Sequence, residues 1–219
     1  MPASDLPAVR IHEIYDSIQG ESTLAGMPCT LVRLAGCPLR CNYCDTPQAM
    51  PFNSGEEYSI EQITEKVRQH KRPLTLVSGG EPLAQKSCLP LLSALANISP
   101  VLQLETSGAF DISQTDPGVR RILDVKTPGS GESRRNRREN FHLLKDGDEI
   151  KFVITSHADY LWAVSILDRY PPVVPVLFSP AWGNIQPSDL AAWILEDHLP
   201  ARMQLQLHKY IWGAEATGV

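Results

Sequence analysis

The stretch TLVRLAGCPLRCNYC, residues 30–44, joins a short apolar run to a loop that contains three of the chain's five cysteines. Cys37, Cys41 and Cys44 are separated by three and then two residues, whereas Cys29 and Cys88 stand apart. A structural zinc site usually takes four ligands, from separated cysteine pairs or paired histidines. Three thiolates on one loop can instead bind three irons of a cubane cluster and leave the fourth iron open. The spacing favours a cluster, with two alternatives: a zinc site completed by a distant histidine, or a chance grouping of buried cysteines.

Short, β-rich apolar runs recur on both sides of this loop, and several are followed by helix signals. Ser59 and Gln62 form a capping box, Ser156 begins a second helix and Ser188 lies near the start of a third. Strands that alternate with helices indicate βα units around a parallel sheet or partial barrel, with the chemistry in the loops after the strands. A further short helix is predicted over residues 91–96. The predicted strands span 30–34, 74–77, 101–105, 121–125, 150–154, 173–178 and 203–207.

Composition indicates an ordinary globular protein. The chain has 219 residues, of which 42% are hydrophobic and 21% charged, which excludes a disordered chain. Five cysteines are too few for a disulfide framework of this size. The formal charge of −5 gives no global attraction to nucleic acid or to an anionic membrane. The first ten residues, MPASDLPAVR, show no secretory signal, so a cytoplasmic location is expected.

The chain is predicted to form a single domain over residues 1–219 with two excursions, near 47–58 and 127–140. The second excursion contains Arg134, Arg135, Arg137 and Arg138. A solvated, mobile loop is the ordinary interpretation of such a charge run. The alternative interpretation is a contact with an acidic electron donor or with an anionic group of the substrate.

The cysteine spacing, with Tyr43 just before the last cysteine, resembles the radical S-adenosylmethionine superfamily. The sequence SGGEP at 78–82, directly after the predicted strand 74–77, is similar to the GGEP motif of that superfamily. A lone GGEP would be an ordinary turn. The two motifs together are a much more specific signal than either alone.

Within that superfamily the chain resembles the 7-carboxy-7-deazaguanine synthases over about residues 11–209. The resemblance implies a truncated TIM-like barrel of about six βα units. It departs at the arginine-rich excursion and at residues 124–128, where DVKTP stands in place of an SPK element. The motifs that carry it are IYDSIQGE at 14–21, Arg33, CxxxCxYCDT from Cys37, SGGEP, ETSG at 105–108, FSP at 178–180 and LHK at 207–209.

The resemblance also implies the ligands of the site. Cys37, Cys41 and Cys44 would bind a 4Fe-4S cluster whose open iron chelates S-adenosylmethionine, from which one electron releases a 5'-deoxyadenosyl radical. Gly80 and Glu81 would lie at the methionine end of that cofactor. The remaining cofactor candidates are Tyr43, Asp45, Lys126, Thr127 and Ser179.

The implied substrate is 6-carboxy-5,6,7,8-tetrahydropterin, which has a guanine-like edge and a carboxylate. Glu21 is the candidate acceptor for the N–H groups of that edge, and Arg33 the candidate partner of a carboxylate or carbonyl. Thr46 would bind a Mg2+ ion that also takes the substrate carboxylate; otherwise it only begins a turn. Ile18, Gln19, Gly20, Ser78 and His208 complete the predicted pocket, although a lone histidine is more often structural.

The implied reaction is abstraction of hydrogen from C6, radical ring contraction, loss of ammonia and aromatisation to 7-carboxy-7-deazaguanine, a step of queuosine biosynthesis. The implied partners are the pterin, a second copy of the chain and an electron donor such as flavodoxin or ferredoxin, with no direct nucleic acid or membrane contact. Two alternatives stay open: an activase that abstracts hydrogen from a glycyl-radical enzyme, and a zinc-stabilised binding module.

Overall fold

The computed structural model describes residues 8–219, which form one nine-stranded sheet flanked by helices. The strand order is β3-β1-β2-β4-β5-β6-β7-β8-β9. The strands are β1 (Val9–Ile18), β2 (Pro28–Leu34), β3 (Glu56–Tyr58), β4 (Leu74–Gly79), β5 (Val101–Thr106), β6 (Val119–Val125), β7 (Glu149–Ile154), β8 (Val176–Pro180) and β9 (Arg202–Met203). The helices are α1 (Ile60–His70), α2 (Cys88–Ala96), α3 (His157–Arg169), α4 (Pro187–Glu196) and α5 (Leu207–Trp212).

From β2 to β9 every neighbouring pair of strands is parallel. β1 is antiparallel to β2 and carries β3 on its other side. Within the described chain the two edge strands, β3 and β9, do not pair with each other, so the sheet stays open. Six of the parallel strands have five or more residues. The predicted α/β partial barrel of about six units is therefore confirmed.

Two of the helices, α1 and α3, begin where a side chain satisfies one of the first amide groups. The Ser59 hydroxyl accepts a hydrogen bond from Gln62 N while the Gln62 side chain accepts one from Ser59 N, which is the predicted capping box. Ser156 caps α3 in the same way through Asp159 N. α1, α2, α3 and α4 cover four of the connections. The β5–β6 and β6–β7 connections contain no α-helix, and the second is built of short 3-10 helices between residues 128 and 143.

The side chains of each central strand point alternately to the apolar core and to the interior of the barrel. Leu102 and Leu104 of β5 pack in an apolar cluster with α1 and α2. Leu123 of β6 and Phe152 of β7 pack in a second cluster with α3 and α4. Their neighbours in the chain face the opposite side of the sheet, because side chains alternate along a strand. The interior face therefore receives Gln103, Glu105, Asp124 and Lys151.

Two of the predicted strands are wrong at their boundaries. The strand predicted at 173–178 begins only at Val176, because Pro171, Pro172 and Pro175 cannot donate to a ladder. The strand predicted at 203–207 is reduced to the last residue of β9, after which α5 begins at Leu207. The alternation of glutamine and leucine over residues 204–207 does not reflect a strand. Gln204 and Gln206 instead form hydrogen bonds with the turn that follows β1. No described helix has the length and apolarity needed to cross a membrane.

Candidate active site

A cavity of about 580 Å3 opens at the carboxyl ends of the parallel strands. Its walls are the end of β1, the cysteine loop after β2, the GGEP turn after β4, the interior faces of β5 to β7 and the C-terminal segment. The cavity therefore lies where parallel α/β folds place their chemistry. Fifteen of the predicted site residues contribute to its wall: Ile18, Gln19, Gly20, Glu21, Arg33, Cys37, Cys41, Tyr43, Cys44, Asp45, Thr46, Ser78, Gly80, Lys126 and His208.

All three cysteines of the loop line this cavity and are partly buried. Gly36 turns the chain into the loop with φ of 90°, a conformation that favours glycine. Burial raises the pKa of the Cys41 thiol to about 11. Among residues 8–219, no three His, Cys, Asp or Glu side chains converge on a single ion. A cubane assigns each cysteine to its own iron, so three thiols spread along one loop match that type of ligand.

The GGEP turn is attached directly to the cysteine loop. Gly80 N donates to Leu34 O over 3.0 Å, and Glu81 N donates to Gly36 O over 2.9 Å. A Cβ atom at Gly80 would lie 2.4 Å from Gly36 O and 2.9 Å from Cys37 Cβ. Only glycine permits this approach, so the two motifs that are distant in sequence form one structural unit.

Glu81 is fully buried, and its side chain is not part of the cavity wall. Its carboxylate accepts hydrogen bonds from Leu83 N, Thr106 Oγ1, Ser107 N and Ser107 Oγ. These bonds join the GGEP turn to the end of β5. The Glu81 side chain is therefore a brace for the turn, which corrects its predicted place beside a ligand.

Thr127 and Ser179 also lie behind the cavity wall rather than on it. Thr127 Oγ1 donates to Val153 O over 3.1 Å and to Asp159 Oδ2 over 3.0 Å. The Ser179 hydroxyl is buried and has no hydrogen-bond partner among the described residues. Lys126, which precedes Thr127, does line the cavity. Of the two residues predicted after β6, Lys126 and Thr127, only the first is therefore part of the cavity wall.

Lys151 lies at the centre of the interior face and holds three carboxylates. Its ammonium pairs with Glu21 at 2.7 Å, with Asp124 at 3.2 Å and with Glu105 at closer range. Asp124 pairs in addition with Lys126 at 3.1 Å. The side chain of Lys151 is only 3% exposed, and such burial is tolerated only with charged partners.

These contacts set the charges of the cluster. Burial opposes the charge on Lys151, but the surrounding carboxylates outweigh it and raise the pKa well above its ordinary value. Burial also raises the pKa of Glu105, although Lys151 counteracts this. For Asp124 the two lysines outweigh burial and lower the pKa. Three carboxylates thus face two ammonium groups, which leaves acceptor oxygens in the cavity.

Sequence reasoning did not assign Glu105, Asp124 or Lys151 to the substrate site. Each interrupts an apolar strand at an interior position, in the local sequences LQLET, ILDV and IKFV. A single charged residue between two core residues of a buried strand was the signal that could have found them, because such burial requires partners.

Glu21 is held by side chains from two further segments. Gln206 Nε2 donates to Glu21 Oε1 over 2.9 Å, and Gln204 Oε1 accepts from Ser22 N over 2.8 Å. Gln19 Nε2 donates to Gln103 Oε1 over 2.6 Å, which fixes the turn after β1 on β5. The turn and the segment that precedes α5 therefore support each other around the Glu21 carboxylate.

Arg33 already has two partners on the neighbouring strand. Its Nε donates to Glu13 Oε1 over 2.6 Å and its Nη2 to Tyr15 Oη over 3.1 Å, in keeping with the pairing of Glu13 and Arg33 across β1 and β2. Ser78 lies beside Arg33 in the β2–β4 register. The guanidinium is thus oriented at the cavity wall with part of its donor set unused.

His208 reaches the cavity from helix α5, not from a strand. Leu207 N donates to Gly20 O over 2.9 Å, and a Cβ at Gly20 would lie 2.4 Å from His208 Nδ1. Burial lowers the pKa of His208, with the nearby carboxylates of Glu21 and Asp45 acting against it. The six residues that end the chain, 214–219, also line the cavity.

Asp45 and Thr46 follow the last cysteine at the mouth of the cavity. Desolvation acts to raise the pKa of Asp45, but Lys209, whose Nζ lies 3.2 Å from Asp45 Oδ2, lowers it below the ordinary value. The Thr46 side chain does not cap the short helix that follows it, Pro47–Ala49. The Thr46 hydroxyl is therefore not used as a helix cap. A hydroxyl next to a carboxylate is a suitable pair of ligands for a hard cation.

Comparison with known proteins agrees with this geometry. The family model described as the Radical SAM superfamily matches residues 31–124. A 7-carboxy-7-deazaguanine synthase of Chlorobaculum tepidum is 45% identical over 96% of this chain and 97% of its own length. The chain belongs to the 7-carboxy-7-deazaguanine synthase family. A second member, from Koribacter versatilis, is 39% identical over 96% of the chain and its own full length.

The fold of the family is also found among solved structures. The crystal structure of QueE from Escherichia coli superposes with a TM-score of 0.70 over 92% of this chain and 95% of that one, at 20% identity. This likeness supports the fold alone.

A radical S-adenosylmethionine superfamily member uses a 4Fe-4S cluster and S-adenosylmethionine, and the residues present fit both groups. The fit rests first on the three thiols that line the cavity. It rests also on Tyr43 Oη and Asp124 Oδ1, which are buried, belong to cavity-lining residues and have no hydrogen-bond partner within residues 8–219. Unpaired buried polar atoms are costly, so they mark places for ligand contacts. One face of the Tyr43 ring is taken by Lys126, whose Nζ lies 5.8 Å from the ring centroid.

Proposed function

We propose that the chain is a carbon–nitrogen lyase that converts 6-carboxy-5,6,7,8-tetrahydropterin to 7-carboxy-7-deazaguanine, with loss of ammonia, in queuosine and 7-deazapurine biosynthesis. The observation that carries the proposal is the sharing of one cavity by the cysteine loop and the Glu21–Lys151–Glu105 cluster. A radical generated at the first would act on a substrate bound by the second.

Glu21 and Glu105 provide the acceptors for the guanine-like edge of the pterin. That edge presents several N–H donors, and an ionised carboxylate accepts at two oxygens. Lys151 and Gln206 fix the Glu21 carboxylate on different oxygens, so its orientation is set before the substrate arrives. Binding through a fixed acceptor set costs little reorganisation.

The opposite end of the substrate, its carboxylate, would be bound near Thr46. The Thr46 hydroxyl and retained waters are suitable ligands for Mg2+, which keeps much of its hydration shell. The ion would hold the carboxylate and orient the ring, acting as a template. Arg33 and His208 line the same cavity and would bind the remaining polar edges.

When bound, the cluster and S-adenosylmethionine supply a 5'-deoxyadenosyl radical. Cys37, Cys41 and Cys44 would hold the cluster, and Tyr43, Asp45, Gly80 and Lys126 would contact S-adenosylmethionine. Glu81 and Thr127 hold the two turns from behind the wall. The working enzyme would be a homodimer supplied with electrons by a flavodoxin or ferredoxin, without direct contact to nucleic acid.

Anaerobic turnover tests the proposal directly. The reconstituted protein is incubated with dithionite, S-adenosylmethionine, Mg2+ and the pterin, and products are followed by mass spectrometry. Formation of the carboxy-deazaguanine and of 5'-deoxyadenosine is expected. Absence of the deazapurine from protein with roughly four irons and four sulfides per chain would contradict the assignment. A colourless protein that contains zinc would instead support a binding module.

Thr46→Ala is expected to raise the Mg2+ concentration needed for half-maximal turnover about tenfold, since one ligand of a weakly held ion is lost. Thr46→Ser keeps the hydroxyl and should restore the wild-type Mg2+ dependence. The measurement is a Mg2+ titration of turnover at saturating S-adenosylmethionine. Equal Mg2+ dependence in the alanine variant would remove Thr46 from the metal site.

A further inference from the structure

Four arginines, Arg40, Arg134, Arg135 and Arg138, lie on the cysteine loop and on the excursion that is bonded to it, and we call them the basic face. All four residues are exposed, and within residues 8–219 none of the four forms an ion pair. Arg137, by contrast, pairs with Asp111 at 3.4 Å and with Glu139 at 3.9 Å. The face is therefore a local concentration of uncompensated positive charge on a chain with a formal charge of −5.

The excursion that carries three of these arginines is bonded to the cysteine loop. Arg40 N donates to Glu132 Oε1 over 2.6 Å, and Asn42 N donates to Ser130 O over 3.0 Å. Asn42 Nδ2 donates to Gly129 O over 3.1 Å. Arg134 and Arg135 thus follow within three residues of a direct contact with the loop between the cysteines.

The other side of the excursion is bonded to the strand ends. Asn136 accepts from Lys126 N over 2.9 Å and donates to Lys126 O over 2.8 Å. Arg137 N donates to Gly108 O over 3.0 Å, and the Asn140 amide donates to the same oxygen over 3.0 Å. The segment expected to be a free, solvated loop is therefore held in place on both sides, while its arginine side chains stay in solvent.

One cation of the face lies on the cysteine loop itself. Arg40 Nη1 donates to Cys37 O over 2.8 Å and to Leu39 O over 2.7 Å. Within residues 8–219 the Nε and Nη2 groups of this guanidinium donate no hydrogen bond, so they are available to an external acceptor. A partner bound at the basic face would consequently touch the loop that we propose to hold the cluster.

We propose that the basic face is the docking surface for an acidic one-electron carrier protein that reduces the cluster. This inference rests on the proposed function of the cysteine loop. One electron leaves the carrier and enters the cluster, and no bond forms or breaks between the two proteins. Complementary charge steers association and fixes orientation. Contact with the cysteine loop keeps the transfer path short.

Nucleic acid is the other class of polyanion that a basic face could bind. It is less suited here because the chain is acidic overall and the four arginines are confined to the cysteine loop and the excursion bonded to it, whereas nucleic-acid sites extend along a backbone. A short RNA hairpin therefore serves as the comparison ligand in the test.

The test uses a recombinant bacterial flavodoxin and the variant Arg134→Ser/Arg135→Ser/Arg138→Ser, in which Arg40 keeps its loop contacts. Calorimetric titration of the cluster-loaded protein with flavodoxin should give a dissociation constant roughly tenfold weaker for the variant at low salt. The dependence of that constant on salt concentration should also be smaller, since fewer charges are screened. With dithionite as reductant the variant should turn over as the wild type does.

The control is Lys66→Ser/Arg68→Ser/Lys71→Ser, which removes the same number of positive charges. These exposed residues lie on and just after α1, which leads to the amino end of β4, at the edge of the sheet opposite the cysteine loop. Flavodoxin should bind this control within about twofold of wild type.

Three results would each overturn the docking surface. The first is equal weakening of flavodoxin binding in the arginine variant and the control, and the second is unchanged affinity in the arginine variant. The third is a wild-type protein that binds neither a flavodoxin nor a ferredoxin. Binding of the RNA hairpin that is lost in the arginine variant, without flavodoxin binding, would assign the face to nucleic acid instead. A wild-type protein that binds flavodoxin at the basic face but forms no deazapurine with dithionite would contradict the proposed function and leave the docking surface standing.

Discussion

Lys151 joins carboxylates that reach the cavity from three different segments. Glu21 comes from the turn after β1, Glu105 from β5 and Asp124 from β6. Without a cation between them these groups would repel one another and take up protons, because burial already raises the pKa of Glu105. Lys151 counteracts this rise and so favours the ionised form of Glu105, which accepts hydrogen bonds from a substrate.

Lys151→Met should weaken pterin binding at least tenfold and abolish turnover, whereas Lys151→Arg should retain a measurable part of both. Loss of one partner from a buried ion pair costs about 3–5 kcal/mol, so thermal unfolding is measured for each variant. Binding is measured by calorimetry with the cluster-loaded protein. Unaltered pterin affinity in a folded Lys151→Met protein would show that the cluster has no part in substrate recognition.

The five cysteines divide into three at the cavity and two in the core. Cys29 and Cys88 are fully buried, and burial raises the pKa of Cys29 to about 11, as expected of an unreactive thiol. Cys37→Ala, Cys41→Ala and Cys44→Ala should each prevent assembly of a complete cluster. Cys29→Ala and Cys88→Ala should retain it. Iron and sulfide analysis after anaerobic reconstitution distinguishes the two groups, and a full cluster in any of the first three variants would contradict the ligand assignment.

Helix α5 depends on a glycine that is distant from it in sequence. His208 packs directly on Gly20, and the backbone of Leu207 bonds to the Gly20 carbonyl. Gly20→Ala should displace His208 and weaken pterin binding about tenfold, with S-adenosylmethionine affinity changed less than twofold. The destabilisation expected for overpacking is about 1–3 kcal/mol. Gly118→Ala, at an exposed glycine without a positive φ and outside the cavity wall, is the control for a Gly→Ala change; similar losses in both variants would contradict the His208 contact.

Elements with strong local signals could be predicted from the sequence. The capping side chains of Ser59 and Ser156 act within one helical turn, so α1 and α3 were found at their first residues. The strands from β4 to β7 were found because each contains a short apolar or alternating run. β1 was missed because its burial alternates weakly, and α5 because its contacts are to Gly20 and Asp45, far away in the chain.

The candidate site was predictable to the extent that it rests on contiguous motifs. The cysteine loop, the GGEP turn and the residues from Ile18 to Glu21 were identified by their spacing or resemblance, and they meet at one cavity. The sequence did not predict whether a side chain lines the cavity or lies behind its wall. Glu81 and Thr127 are examples, because both lie behind the wall. That outcome depends on bonds to Thr106, Ser107 and Asp159, which only the folded sheet brings within reach.

Over the whole molecule, the apolar core is divided into two clusters that meet at β6, which contributes residues to both. The first packs α1 and α2 on the N-terminal half of the sheet and the second packs α3 and α4 on the C-terminal half. No α-helix covers the connections on either side of β6. Arg121 fills this place: its guanidinium pairs with Asp148 at 2.5 Å and donates to Ile112 O and Leu143 O, over 3.2 and 2.6 Å. A buried polar centre thus replaces helix packing where the two clusters join.

Arg121→Leu should lower the free energy of unfolding by about 3–5 kcal/mol, because it leaves the fully buried Asp148 carboxylate without its main partner. Arg120→Leu changes the adjacent residue of the same strand, whose side chain is exposed, and should alter stability by less than about 0.5 kcal/mol. Urea unfolding followed by far-ultraviolet circular dichroism compares the two. If the junction joins the halves as inferred, the Arg121 variant should also broaden the transition, since the clusters then unfold less cooperatively. A single sharp transition at the wild-type midpoint would show that the sheet hydrogen bonds alone couple the two halves.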